Sequence, residues 1–164
     1  MKRRAIYPGT FDPFTNGHLD LVRRGLRIFD ELIVAVAPSP RKKPLFTSEE
    51  RLELIRASLK GYRRVRCEIF EGLLVEYVHA KKGSAIIRGL RAVSDFEYEL
   101  QLALMNRRLR AGIETVFMMP SEEYSFLTAT IVKEISSLGG PVNEFVPLPV
   151  ERALRQKLAQ KQGC

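Results

Sequence analysis

The residues best suited to chemistry lie in one short segment near the start of the chain, from Gly9 to His18. The segment reads Gly-Thr-Phe-Asp-Pro-Phe-Thr-Asn-Gly-His and follows an apolar run. Gly9 and Gly17 have no side chain to keep a bound group from the backbone, and the Thr10 hydroxyl can donate a hydrogen bond. A helix that begins near His18 would add free N–H groups and its dipole. The segment therefore predicts a phosphate site.

His18 is the residue of this segment whose side chain is best suited to catalysis. An imidazole beside a bound phosphate can donate a hydrogen bond to a phosphoryl oxygen as charge builds up on it. A lone histidine more often packs or caps a helix, but the glycine before His18 and the strand–loop–helix context favour a functional role. The spacing G-x-G-x-x-G does not occur in the chain, so a dinucleotide-binding oxidoreductase has little sequence support.

A second candidate segment, Arg88-Gly89-Leu90-Arg91, follows another apolar run directly. Guanidinium groups bind phosphate through two parallel N–H donors, which an ammonium group cannot imitate. The alternative is that these arginines form salt bridges with Asp95, Glu97 or Glu99. The position directly after a strand favours phosphate binding.

The elements that must position these residues alternate along the chain. The predicted strands are apolar at consecutive positions, as in sheets that are buried on both faces. Strands separated by helices indicate a parallel sheet, whose ligand site lies beyond the carboxyl ends of the strands. We therefore predict an α/β fold, a Rossmann-like doubly wound five-stranded parallel sheet with helices on both faces and a C-terminal helix. The predicted strands are Ala5–Tyr7, Leu32–Ala37, Val65–Phe70, Ala85–Arg88 and Thr115–Met119.

Helix boundaries are predicted from capping patterns. Asn16 is the expected N-cap of the first helix. Capping boxes open further helices at Thr47–Glu50 and Ser94–Glu97, the second of which extends to about Arg110. The remaining predicted helices run through Leu74–Val78, Thr128–Leu138 and Val150–Lys161. No composition shift marks a linker, so we expect one domain, residues 1–164.

Composition narrows the classes of function. The chain has 164 residues, 45% of them hydrophobic and 28% charged, with a net charge of +8 that favours anionic ligands. It contains no apolar run of about 20 residues and no signal-peptide pattern, so we expect a cytoplasmic protein without membrane contact. The two cysteines, Cys67 and Cys164, and the two histidines do not form a metal-binding pattern, so we expect no protein metal ligands.

Longer stretches of the chain resemble a known family. The residues Tyr7–Pro13 and Thr15–His18 match the signature of the nucleotidyltransferases that share a T/H-x-G-H motif. Together with Ser39–Pro44, Ile87–Glu99 and Tyr124–Glu134 they resemble the bacterial single-domain phosphopantetheine adenylyltransferases. The resemblance extends over nearly the whole chain up to about residue 150. It implies the transfer of AMP from ATP to 4′-phosphopantetheine, which gives dephospho-coenzyme A and pyrophosphate.

The resemblance also implies roles for individual residues. Lys42 would contact the acceptor phosphate and the reaction centre, whereas its neighbours Arg41 and Lys43 are expected to be solvated. The implied catalytic residues are His18, Lys42, Arg91 and Thr10. The implied acceptor-binding residues are Thr10, Lys42, Leu74 and Arg88. The implied ATP-binding residues are Thr10, Phe11, His18, Gly89, Leu90, Arg91, Glu99, Tyr124, Ser125, Phe126, Leu127, Thr128, Ala129 and Thr130.

This chain departs from the commoner family pattern in the last of these segments. Tyr124 stands where tryptophan is frequent, and Ala129 interrupts a run of hydroxyl side chains. Hydroxyls and amides at a helix start suit the β- and γ-phosphates of ATP. Ala129 therefore removes one side-chain donor without removing the helix start.

The predicted mechanism is direct in-line attack of the acceptor phosphate on the α-phosphorus of ATP, without a covalent enzyme intermediate. Mg²⁺ is expected on the ATP phosphates. The family resemblance also implies a homohexamer and inhibition by coenzyme A.

Two other readings stay open at the level of the sequence. One is a nicotinamide or nicotinate mononucleotide adenylyltransferase, or a cytidylyltransferase for an alcohol phosphate, of the same superfamily. The other is a basic nucleic-acid-binding module without catalysis. The chain shows no zinc finger, RNA-recognition motif or basic zipper, so we expect no nucleic-acid partner.

Overall fold

The computed structural model describes residues 2–39, 43–91 and 96–162. Strands and helices alternate along the chain, as the sequence predicts. The strands are β1 (Arg4–Gly9), β2 (Glu31–Val36), β3 (Val65–Ile69), β4 (Ala85–Gly89) and β5 (Glu114–Met118). The helices are α1 (Asn16–Ile28), α2 (Ser48–Ser58), α3 (Leu74–Ala80), α4 (Phe96–Leu109), α5 (Ala129–Ser137) and α6 (Leu148–Gln162), with a short 3₁₀ helix at Glu122–Tyr124.

The five strands form one parallel sheet in the order β3-β2-β1-β4-β5. The chain builds outward from β1 in one direction through β2 and β3, then returns to the other side of β1 with β4. The strand order therefore reverses between β1 and β4, and ligands of doubly wound sheets bind beyond such a point. This order confirms the predicted Rossmann-like fold and places the segments after β1 and β4 side by side.

Both faces of the sheet are buried, because side chains alternate between two apolar cores. On one face Tyr7 and Val34 pack with residues of α1, α2, α5 and α6. On the other face Ile6 and Ile33 pack with the buried side of α3. The consecutive apolar residues of the strands are explained by this double burial.

The first helix begins one residue earlier than predicted. Thr15, not Asn16, is the N-cap, because the Thr15 hydroxyl accepts a hydrogen bond from the His18 backbone N–H at 3.3 Å. The Asn16 side chain instead donates to the carbonyl of Glu144. The Asn16 prediction was therefore wrong, since a threonine one position earlier offers the same cap.

The capping box of α2 is confirmed. The Thr47 hydroxyl accepts from the Glu50 N–H at 3.2 Å, and the Glu50 carboxylate accepts from the Thr47 N–H at 2.8 Å. The C-terminal helix α6 packs on α2 and α5, with Val150 and Leu154 fully buried. The predicted box at residues 94–97 includes residues outside those that the structure describes.

Helix α4 differs from the other helices because none of its described side chains is buried. Apolar side chains on it are exposed, among them Phe96, Tyr98, Leu104, Met105 and Leu109. Across the described ranges, no helix is both long enough and apolar enough to cross a membrane.

Candidate active site

A cavity of about 570 Å³ opens at the carboxyl ends of β1 and β4. It lies where the strand order reverses, which is the expected ligand position in this fold. Most of the predicted site residues line it. They are Thr10, Phe11, His18, Arg88, Gly89, Arg91, Glu99, Tyr124, Leu127, Thr128, Ala129 and Thr130.

The His18 ring is held in one orientation by the cap of α1. The backbone N–H of Thr15 donates to Nδ1 of His18 at 2.9 Å, which makes Nδ1 an acceptor. A neutral imidazole with Nδ1 as acceptor carries its proton on Nε2. The ring is also enclosed by aromatic side chains, edge-on to Phe11 at 5.0 Å and stacked with Phe14 at 5.5 Å between centroids.

The same surroundings keep His18 uncharged. Burial lowers its pKa to about 3, and the positive charge of Arg91 acts in the same direction. At neutral pH the ring is therefore a hydrogen-bond donor through Nε2 and carries no charge. This state suits stabilisation of a phosphoryl oxygen and does not suit proton transfer near pH 7.

The glycines of the first segment have different roles. A Cβ on Gly9 would lie 2.8 Å from the Phe11 ring, so the space at Gly9 is taken by that ring. A Cβ on Gly17 would meet only ordinary contacts of 3.5 Å or more. Gly9 therefore serves the packing of Phe11, whereas Gly17 has space for a methyl group, and the close approach of a phosphate to its backbone stays a prediction.

Arg88 forms a bidentate ion pair inside the cavity. Its Nε and Nη2 donate to the two carboxylate oxygens of Glu99 at 2.8 and 2.6 Å, and Nη1 donates to the carbonyl of Pro8 at 3.3 Å. The sequence left open a salt bridge with Glu99, and the structure forms it. The pair orients the guanidinium, whose remaining N–H groups can bind a phosphate.

The far wall of the cavity is tied to α1 through Asp20. Its carboxylate accepts from the backbone N–H and the hydroxyl of Ser121, at 2.8 and 3.0 Å. Helix α5 then begins at the cavity, where the Thr128 hydroxyl caps the Ile131 N–H at 3.1 Å. The N–H groups of a helix start attract anions, and the binding of the ATP phosphates at this one stays a prediction.

A few predicted residues are not brought to the cavity. Leu74 packs against the apolar core on the α3 face. Leu90, Ser125 and Phe126 are not among the cavity-lining residues in the described part of the chain, and Phe126 is 72% exposed. Lys42 lies outside the residues that the structure describes.

Sequence reasoning missed several residues that line or support the site. Lys43 is exposed, as expected, but it also lines the cavity, together with Lys133. Lys133 donates to Asp12 at 2.9 Å, and Asp12 also accepts from the backbone N–H groups of Leu45 and Phe46 at 2.9 Å each. Lys133 follows Thr130 by three residues, so helical spacing could have indicated it.

The cavity does not fit a protein-held Mg²⁺ ion. Two carboxylates line it, and both already have cationic partners. Asp12 binds Lys133 and two backbone N–H groups, and Glu99 binds the guanidinium of Arg88. Among the described residues no group of three or more His, Cys, Asp or Glu could hold a metal ion.

Comparisons with known proteins agree with this geometry. A family model described as cytidylyltransferase-like matches residues 6–135. The phosphopantetheine adenylyltransferase of Thermodesulfovibrio yellowstonii is 60% identical over 158 residues, which are 96% of this chain and 98% of the relative. That of Carboxydothermus hydrogenoformans is 52% identical over 162 residues, 99% of each chain.

Solved structures share the fold. A putative nicotinate-nucleotide adenylyltransferase from Vibrio parahaemolyticus superposes with a TM-score of 0.71 over 98% of this chain and 97% of the other, at 17% identity. A lipopolysaccharide core biosynthesis protein from Thermoplasma volcanium GSS1 has a TM-score of 0.55 and 26% identity, over 74% of this chain and 98% of that one.

With its switch-point cavity, its neutral histidine and its matching family model, the chain belongs to the cytidylyltransferase-like nucleotidyltransferases. Its similarity to the two phosphopantetheine adenylyltransferases, over 96–99% of the chain, identifies the particular family within this class. The chain is a member of the phosphopantetheine adenylyltransferase family.

Proposed function

We propose that this chain transfers AMP from ATP to 4′-phosphopantetheine, with release of pyrophosphate and formation of dephospho-coenzyme A. One observation carries the proposal. Thr10, His18, Arg88 and Arg91 face a single cavity at the switch point of the sheet, in a chain with 60% identity to a phosphopantetheine adenylyltransferase.

In the proposed mechanism an oxygen of the acceptor phosphate attacks the α-phosphorus of ATP. The bond to the bridging oxygen of the β-phosphate breaks, and pyrophosphate leaves with that electron pair. The protein positions two polyanions and stabilises charge on the phosphorus. His18 donates from Nε2 to an α-phosphate oxygen, and its proton stays on the ring throughout.

Further residues support this transition state. Arg91 and Thr10 line the same cavity as His18, and Lys42 is proposed to act beside them. Arg88, oriented by Glu99, binds the acceptor phosphate. Burial raises the pKa of Cys67 to about 11, so its thiol stays protonated and does not serve as a nucleophile.

Mg²⁺ belongs to the proposal as an ion carried by the phosphates of ATP, where it would offset their negative charge. A cytoplasmic location also belongs to the proposal, because ATP is the donor.

Oligomerisation and inhibition extend the proposal. The exposed apolar side chains of α4 would be covered by further copies of the chain in the proposed homohexamer. Coenzyme A contains a pantetheine arm and an adenylate group, so it can compete for both halves of the cavity. We propose it as a feedback inhibitor.

The relatives do not favour the alternative acceptors, because the proteins with 52–60% identity to this chain are named phosphopantetheine adenylyltransferases. A pyrophosphate-release assay tests the choice directly. Purified protein with ATP and Mg²⁺ is offered 4′-phosphopantetheine, nicotinate mononucleotide, nicotinamide mononucleotide or glycerol 3-phosphate, the last also with CTP. We expect release only with 4′-phosphopantetheine, and release with another acceptor alone would overturn the proposal.

A further inference from the structure

Arg51 is a buried cation that the proposed mechanism does not use. It lies in α2 with 1% of its surface exposed, and it does not line the cavity. Arginine is rarely buried to this extent, because removing a charge from water is unfavourable unless hydrogen bonds replace the lost hydration. The groups that bind its guanidinium therefore indicate what it does.

One end of the guanidinium holds the two segments that leave the central strands. Nη1 donates to the carbonyl of Thr10 at 2.6 Å and to the carbonyl of Ala37 at 3.1 Å. Thr10 follows β1 directly, and Ala37 follows β2 directly. These contacts fix the backbone at the carboxyl ends of two neighbouring strands.

The rest of the guanidinium holds the start of α2. Nε donates to the carbonyls of Phe46 and Thr47 at 3.2 and 3.3 Å, and Nη2 donates to the Ser48 hydroxyl at 2.9 Å. Ala37 and Phe46 therefore flank the β2–α2 segment on both sides, and both are bound to the same side chain. That segment contributes Ser39, Lys43 and Pro44 to the cavity.

Asp12 binds the same backbone that Arg51 binds. Its carboxylate accepts from the backbone N–H of Phe46 at 2.9 Å, while Arg51 binds the carbonyl of the same residue. Phe46 is thus held through both of its backbone polar groups. The segment after β1 and the segment before α2 are joined by two buried charges of opposite sign.

The peptide that Arg51 binds adjoins a strained residue. Phe11 has a φ of 51°, in the left-handed region that bulky residues seldom adopt. Such a conformation persists only where its surroundings hold it, and it is frequent at functional sites. The Thr10 carbonyl belongs to the peptide bond that leads into Phe11, so Arg51 fixes that peptide plane while Thr10 itself lines the cavity.

We propose that Arg51 is a positioning residue of the reaction site, which sets the placement of Thr10, of Ala37 at the end of β2 and of the residues before α2 by binding their backbone carbonyls. The proposal rests on the proposed function, because the placement matters only if Thr10 contacts the reacting phosphates. A lysine would keep the charge, but its single ammonium group cannot span carbonyls from three segments.

The first test compares two arginine-to-lysine variants. Arg51→Lys should lower kcat ~10-fold while the KM for ATP changes by less than ~3-fold, because a misplaced contact in the transition state mainly slows the chemical step. Arg4→Lys is the matched control. Arg4 is half-buried and, like Arg51, donates to a carbonyl, that of Lys81, but it lies at the other end of β1. It should keep kcat within ~2-fold.

A double-mutant cycle tests whether Arg51 acts through Thr10. Thr10→Val and Arg51→Lys are measured singly and together, with rates referred to the folded fraction. If Arg51 positions Thr10, the double variant should be barely slower than the slower single variant. Effects on kcat that multiply would show that Arg51 acts independently of Thr10 and would overturn the proposal, as would an Arg51→Lys enzyme with wild-type kcat.

A milder pair of variants applies if Arg51→Lys does not fold. Ser48→Ala removes one partner of the guanidinium, and we expect kcat to fall ~2- to 3-fold. Ser58→Ala removes a hydroxyl at the other end of the same helix, which donates to the Leu54 carbonyl at 2.7 Å, and should leave kcat unchanged. Equal kcat in the two variants would overturn the proposal. Wild-type protein that fails to adenylate 4′-phosphopantetheine would instead overturn the proposed function.

Discussion

Arg4 at the amino-terminal end of the sheet is bound mainly by a carboxylate, whereas Arg51 at the carboxyl-terminal end is bound by carbonyl and hydroxyl oxygens. Arg4 donates to Glu31 at 2.9 and 2.7 Å, and Arg66 reaches the same carboxylate at 2.9 Å. The guanidinium of Arg51 binds the carbonyl oxygens and the hydroxyl described above, none of which is charged.

The difference has an electrostatic consequence. A carboxylate cancels the charge of the arginine that it binds, but backbone carbonyls stabilise the cation without cancelling it. The amino-terminal end therefore ties strands together by ion pairing. At the carboxyl-terminal end Arg88 and Lys133 are paired with Glu99 and Asp12, but the described partners of Arg51 are uncharged. Arg51 therefore keeps its positive charge close to a cavity that is proposed to hold two phosphorylated molecules. The sheet thus has a structural end around Arg4 and Glu31 and a chemical end around His18 and Arg88, which substitutions can tell apart.

The largest effect is expected at the chemical end from His18→Ala. Loss of one preorganised donor to a phosphoryl oxygen should lower kcat ~10²-fold, with a much smaller change in ATP affinity. Steady-state kinetics and calorimetry with ATP measure the two quantities. His79→Ala, at an exposed histidine of α3, is the control and should behave like the wild type. A His18→Ala enzyme with turnover within a few-fold of the wild type would refute the role of the Nε2 proton.

Arg88→Lys should give the next largest effect, a ~10-fold weaker binding of 4′-phosphopantetheine, because one ammonium group cannot both pair with Glu99 and offer further N–H donors to the phosphate. Calorimetric titration of the acceptor measures it. Arg110→Lys is a matched control, since Arg110 also forms a two-contact pair with a glutamate, Glu76, but on the outer surface. Unchanged acceptor affinity in Arg88→Lys would show that Arg88 does not bind the acceptor phosphate.

At the structural end, Glu31→Gln should lower the free energy of unfolding by about 1 kcal/mol, because Arg4 loses its charged partner. The kcat of the folded enzyme should not change. Urea unfolding followed by circular dichroism gives the first quantity. Glu53→Gln disrupts an exposed pair with Arg56 and should have a smaller effect on stability. A drop in kcat in Glu31→Gln would contradict the separation of the two ends.

The smallest effect concerns the pH dependence of stability. The folded-state pKa of His18 is about 3, below the ordinary value of 6.5. As the pH falls below 6.5 the unfolded chain gains a proton at this residue that the folded chain does not bind until about pH 3. The free energy of unfolding therefore falls progressively as the pH is lowered through this range. The loss is moderate because His18 is only half-buried, so solvent still stabilises part of its charged form.

His18→Asn removes this titrating group and should lose less stability than the wild type between pH 7 and pH 4. Urea unfolding of both proteins at the two pH values measures the difference. His79→Asn should follow the wild type. Equal losses in wild type and His18→Asn would show that the ring is accessible to protons in the folded protein.

Much of the fold could be predicted because strands buried on both faces are recognisable as consecutive apolar residues. All five strands occur within two residues of their predicted ends. The N-cap of α1 was misplaced because Thr15 and Asn16 are both good caps, and only the geometry of the turn distinguishes them.

The site was predictable where a motif follows a strand, as for His18 and Arg88. It was not predictable where the function of a residue depends on backbone partners that are distant in sequence. Arg51 is a charged residue in a helix rich in charged residues, a pattern typical of the surface. Its carbonyl partners nevertheless lie at the ends of β1 and β2. Nothing in its immediate neighbours indicates burial.

The hydrogen bond from Arg88 to the carbonyl of Pro8 joins residues that are 80 positions apart. The cavity is thus assembled from two halves of the chain and does not exist until β4 has docked beside β1. Catalytic activity should accordingly be the last property to return during refolding, after the secondary structure. A ribosome-bound chain that ends before β4 would contain His18 but would lack Arg88, the proposed ligand of the acceptor phosphate.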